Sequence, residues 1–71
     1  MNSRFTKVDG NRLRQLRRER ALSQRDLSRI TGIAHDYISQ LETDKREAQP
    51  RTIRKLAEAL GVEPKVLMKG D

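Results

Sequence analysis

One stretch, Ser23–Glu42 (SQRDLSRITGIAHDYISQLE), constrains this chain more than any other. It sets a helix-start signal, a glycine break and a second helical run in close succession. Ser23 is a good helix N-cap, because its hydroxyl accepts from a backbone N–H one turn on. Asp26, three residues later, can reach back to the N–H of the cap itself and complete a capping box. The helix that follows is expected from Gln24 to about Thr31, with Leu27 and Ile30 facing inward. Gly32 ends it, since a sharp corner between packed helices needs a residue that tolerates positive φ. Ile33 is a short apolar plug for that corner. A second helix is expected from near Ala34 to about Glu42, with Ile38 and Leu41 inward. Its outer face carries His35, Asp36, Ser39 and Gln40. Pattern alone leaves two readings of that face: the solvated side of a small helical bundle, or hydrogen-bonding groups that read base edges in a DNA groove.

The residues at fixed spacing in this stretch resemble the Cro/lambda-repressor-like (XRE) helix-turn-helix family. The matching positions are Ser23-Gln24, Leu27, Gly32-Ile33 at the turn, and Ile38-Ser39-Gln40-Leu41-Glu42. The resemblance runs from about Asp9 to Met68. It implies an all-α, compact five-helix lambda-repressor-like domain whose helices 2 and 3 form the helix-turn-helix. It also implies sequence-specific binding of double-stranded DNA by a repressor-like transcriptional regulator. By this resemblance His35, Asp36, Ser39 and Gln40 occupy the outward positions used for base contact. Gln24 resembles the family residue that hydrogen-bonds a phosphate, with Arg25 assisting. An arginine at the place of Arg17 pairs in the family with the glutamate that ends the recognition helix. A partly buried Arg17–Glu42 bridge is therefore expected, the planar guanidinium being suited to meeting a carboxylate with two bonds. The chain departs from the family pattern at three places. Ala34 stands where Ser or Thr is usual and cannot cap, which leaves that task to His35 or Asp36. Ala21 and Asp44 stand where glycine is usual. Alanine disfavours the left-handed conformation, whereas aspartate tolerates it.

Charge narrows the choice of partner. Sixteen Lys plus Arg against ten Asp plus Glu give a net charge of +6, with an isoelectric point near 10.5. Such a surface on so small a domain favours a polyanion, nucleic acid before membrane. A membrane-binding helix needs a wide apolar face with aromatics, but Phe5 and Tyr37 are the only aromatic residues. The same scarcity disfavours stacking platforms for single strands, so duplex DNA fits best. The chain has no cysteine, hence no disulfide framework or thiolate metal site. Without an apolar leader run, a cytoplasmic location in a bacterial or phage-like setting is expected.

In chain order, residues 1–8 show no periodicity and are expected to be a flexible arm, with Phe5 or Val8 tucked against the core. The helix-turn-helix domain is expected over 9–69. Asp9 caps a first helix from about Gly10 to Arg20, with Leu13 and Leu16 inward and Arg12, Arg14, Arg18 and Arg20 on a solvated basic face. Leu22 then enters the core. Thr43, Lys45 and Arg46, in the polar loop after Glu42, are candidates for phosphate contact; for Arg46 a solvated side chain is the equal alternative. Pro50 opens a fourth helix in which Ile53, Leu56, Ala57 and Leu60 recur at i, i+3, i+4 and i+7. Gly61 stops it. Pro64 is expected to open a short fifth helix to about Met68, with Leu67 in the core and Val66 and Met68 either in the core or at a dimer contact.

No catalytic constellation is present. His35 is the only histidine, and the four glycines lie at helix ends or the terminus rather than in a phosphate loop. No enzymatic activity, cofactor or metal is therefore expected. Within the DNA reading, Gln40 either pairs with adenine or reaches a phosphate, and His35 either donates to guanine or contacts a phosphate. Asp36 either accepts from cytosine or simply complements the helix dipole. Tyr37 either gives its hydroxyl to a phosphate or packs against helix four or the loop. A domain of this size covers one half-site, so an inverted-repeat operator and a weak homodimer are expected. Two other classes remain open: a protein-interaction module such as an antitoxin or transcription adaptor, and charge-driven non-specific binding of nucleic acid.

Overall fold

The computed structural model describes residues 5–69. Four α-helices follow one another: α1 (Gly10–Glu19), α2 (Gln24–Thr31), α3 (His35–Glu42) and α4 (Pro50–Leu60). There is no strand among the described residues, and the fold is an all-α helix-turn-helix domain. Local signals set most of the helix ends. The Asp9 carboxylate accepts from the Arg12 N–H at 3.2 Å. Ser23 and Asp26 form a reciprocal capping box, each of its two bonds 2.9 Å long. Gly32 and Gly61 close α2 and α4 with φ of +77° and +72°.

The apolar faces converge on one core. Leu13 of α1, Leu27 of α2, Ile38 and Leu41 of α3, and Leu56 and Leu60 of α4 are fully buried, together with Leu67. Helix α3 packs on α1 and α2, and α4 closes the base against α2 and the C-terminal segment. Gly10 has a special place in this packing. A Cβ there would lie 2.5 Å from the carbonyl oxygens of both Leu41 and Glu42, so the start of α1 abuts the last turn of α3 backbone to backbone.

Four expectations are corrected. The fifth helix is a single 3₁₀ turn, Pro64–Leu67. Four residues are too few to repay helix nucleation, and Met68 turns extended to form an antiparallel bridge with Val8. The arm is not free over all of 1–8. Residues 1–4 lie outside the described residues, but Thr6 exchanges two backbone hydrogen bonds with Ala48, 2.7 and 2.9 Å long. Val8 is buried, while Phe5 is 47% exposed. Ile30, expected inward, is 58% exposed. The inner face of α2 runs through Leu27 and Thr31, at i and i+4, and Thr31 donates its hydroxyl to the Leu27 carbonyl at 2.7 Å. Arg20, placed on a solvated face, donates through Nε to the Leu60 carbonyl at 2.6 Å and so satisfies an end of α4. The alanine anticipated as strained, Ala21, has φ of +56°, and Asp44 has +61°.

Candidate nucleic-acid interface

Helix α3 is held from beneath by a buried polar cluster. Arg17 and Glu42 are 7% and 3% exposed. The Arg17 guanidinium donates through Nε to Glu42 Oε2 at 2.6 Å and through Nη2 to Oε1 at 3.0 Å. Its Nη1 donates to the Leu22 carbonyl at 2.7 Å. The hydrogen bond to Glu42 raises the pKa of Arg17 above its ordinary value, with burial opposing. The Arg17 guanidinium stays charged, because arginine does not deprotonate in proteins. Gln24 joins this cluster, its Nε2 donating to Glu42 Oε1 at 3.0 Å. The sequence holds no local signal for that third member, since Gln24 and Glu42 lie on different helices.

The cluster fixes the angle at which α3 presents its outer face. Asp36 is exposed, and His35, Ser39 and Gln40 are half-buried along the same side. His35 Nδ1 lies 3.6 Å from Asp36 Oδ1. Ala34 makes no side-chain cap, and among the described residues no other side chain takes over the task at the start of α3. The Ser39 hydroxyl and the Gln40 amide N–H₂ have no hydrogen-bond partner among the described residues.

The candidate phosphate contacts divide into two groups. Arg25 and Lys45 are exposed and have no side-chain partner among the described residues. Tyr37 and Thr43 are otherwise engaged. Tyr37 donates its hydroxyl to the Glu47 carbonyl at 3.0 Å. Thr43 donates its own to the carbonyls of Ser39 and Gln40, at 3.1 and 3.2 Å, and caps α3. Each hydroxyl has one proton, and that proton is what a phosphate accepts. Without DNA both protons are directed to backbone carbonyls, and for Tyr37 that carbonyl lies in the loop after α3. Arg46 also turns inward: its Nη1 donates to Gln40 Oε1 at 3.0 Å, and its guanidinium sits 4.9 Å from the centroid of the Tyr37 ring.

Beside this face, Lys7, Lys45, Arg46 and Lys69 line a cleft together with Val8, Asp44 and Glu47. Asp44 accepts from the Gly10 N–H at 3.0 Å and from Lys69 Nζ at 3.5 Å. The cleft thus extends the basic rim from the end of α3 to the residues that precede α1. Among the described residues no group of His, Cys, Asp or Glu could hold a metal ion, and no helix is long and apolar enough to cross a membrane.

Residues 10–71 match a family model described as a helix-turn-helix domain. The chain is 38% identical over 56 residues to an uncharacterized HTH-type transcriptional regulator, y4dJ of Sinorhizobium fredii, covering 79% of this chain and 73% of the relative. It is 43% identical over 60 residues to the HTH-type transcriptional repressor RghR of Bacillus subtilis, covering 83% of this chain but 44% of RghR. Among solved structures, the P22 c2 repressor in complex with a synthetic operator superposes with a TM-score of 0.82 at 32% identity. That match covers 93% of this chain and all of the repressor chain.

Proposed function

The chain belongs to the Cro/lambda-repressor-like helix-turn-helix family, and we propose that it is a sequence-specific binder of double-stranded DNA that regulates transcription, in the manner of a repressor. The observation that carries this reading is the outer face of α3. Its polar side chains are raised clear of the core by the Arg17–Glu42–Gln24 cluster, and a basic rim flanks them. The likeness to an operator-bound repressor over nearly the whole chain supports it. The helix lies in the major groove with His35, Asp36, Ser39 and Gln40 toward the base edges, while α2 crosses the backbone. Arg25, Lys45 and the free N–H of the Gln24 amide meet phosphates and set the register. Glu42 occupies one Gln24 donor and leaves the second for the backbone.

A half-site for each copy makes an inverted-repeat operator and a dimer formed on DNA part of the same proposal. A cytoplasmic, non-enzymatic role belongs to it as well, given the bacterial and phage regulators that the chain resembles. Selection from a randomised duplex pool tests the reading. An enriched inverted repeat, with binding that weakens steeply in salt at a slope of about −0.9 per phosphate, is the expected result. A flat pool from folded protein would transfer the assignment to a partner-binding or charge-driven role.

A further inference from the structure

Arg46 lies outside the recognition helix and is exposed, yet both of its side-chain contacts turn back toward α3. One is the Gln40 carbonyl oxygen, at 3.0 Å from Nη1. The other is the Tyr37 ring, 4.9 Å from the guanidinium carbon. Tyr37 is itself pinned by its hydroxyl to the Glu47 carbonyl at 3.0 Å. The loop after α3 is therefore folded against the helix through a ring, a cation and an amide in series. Cation–π contact and a charge-assisted hydrogen bond together favour one rotamer of Arg46 over the many open to a solvated arginine.

This arrangement decides which end of the Gln40 amide faces outward. A guanidinium has only donors, so the group turned toward it must be the oxygen. The N–H₂ is then wholly open to a ligand, whereas the oxygen has one of its two acceptor sites taken and a cation beside it. Adenine is read by glutamine through both ends at once, the oxygen accepting from N6 and the nitrogen donating to N7. Guanine presents two acceptors, N7 and O6, and asks only for donors. Resting on the reading of α3 as the DNA-reading helix, we propose that Arg46 is a positioning residue for base recognition. It holds Gln40 as a donor, so that the base pair read by Gln40 carries guanine rather than adenine.

Three proteins selected in parallel from the randomised pool test this: the unmodified chain, Gln40→Ala and Arg46→Met. Gln40→Ala identifies the operator position that Gln40 reads, as the one at which preference is lost. The expected base there for the unmodified chain is guanine. Arg46→Met is expected to lower the guanine-to-adenine ratio at that same position by roughly tenfold, the scale of one base-edge contact. Arg46 lies on the surface outside the core, and a circular dichroism melt confirms that the variant is folded. The proposal is overturned if the position is adenine in the unmodified chain, or if Arg46→Met alters a different position and so reads a base itself. It is also overturned if Arg46→Met weakens all sequences equally, with the salt slope smaller by about 0.9, the signature of a phosphate contact. A flat pool from the unmodified chain removes the DNA-reading role first and this inference with it.

Discussion

Replacing Glu42 by alanine probes the cluster on which α3 rests. The substitution removes both acceptors of the Arg17 fork and the acceptor of Gln24. Arg17, 7% exposed, keeps only the Leu22 carbonyl. Breaking a buried pair by removing one partner costs about 3–5 kcal/mol, because a charge is left buried without compensation. The guanidinium is close enough to the surface for water to reach it after the change, so the lower figure, about 3 kcal/mol, applies. A domain of this length has a total stability of roughly 4–11 kcal/mol. The loss is therefore a quarter or more of everything that keeps the chain folded. At about 4–8 °C per kcal/mol for small domains, the melting temperature should fall by about 12–24 °C in a circular dichroism melt. The double variant Arg17→Met/Glu42→Leu removes both charges and fills the space with apolar atoms, and it should recover most of the loss. A Glu42→Ala melt within about 2 °C of the unmodified chain would refute the reasoning, since it would mean that the pair is already solvated or that its partners relax without cost.

Gly10→Ala should destabilise the domain by about 1–3 kcal/mol in urea titration, although alanine is the better helix former. The added Cβ meets two backbone carbonyls that cannot give way without moving α3. Ala21→Gly should do the opposite and raise the urea midpoint by the equivalent of about 0.5–1 kcal/mol. It relieves a left-handed alanine, a relief that exceeds the extra entropy glycine loses on folding. The Asp26 carboxyl is held below its ordinary value of 3.8, chiefly by the Ser23 backbone N–H. Its contribution to stability is present above 3.8 and is lost as pH falls through the lower folded-state value. The difference in melting temperature between the unmodified chain and Asp26→Asn should therefore be largest at neutral pH and shrink as pH falls below 3.8.

The helices and their ends were legible in the sequence because they depend on neighbours within one turn. Ser23 and Asp26 find one another three residues apart, Gly32 and Gly61 relieve their own backbone, and Ile53, Leu56, Ala57 and Leu60 line one side of a helix whatever lies opposite. The outward polar side of α3 was legible for the same reason. Tertiary structure decided whatever depends on how closely two distant segments approach. Ile30 and Thr31 are both compatible with an inward place on α2, and in the folded chain Ile30 is exposed. Pro64–Leu67 has the composition of a short helix, but Val8 draws Met68 into an extended pair and leaves one 3₁₀ turn. Gly10 reads as an ordinary helix start until α3 ends against it. Tyr37, Thr43 and Arg46 all carry groups suited to a phosphate. Tyr37 and Arg46 meet a carbonyl and an amide across the loop after α3, whereas the Thr43 hydroxyl meets carbonyls three and four residues back, a local contact.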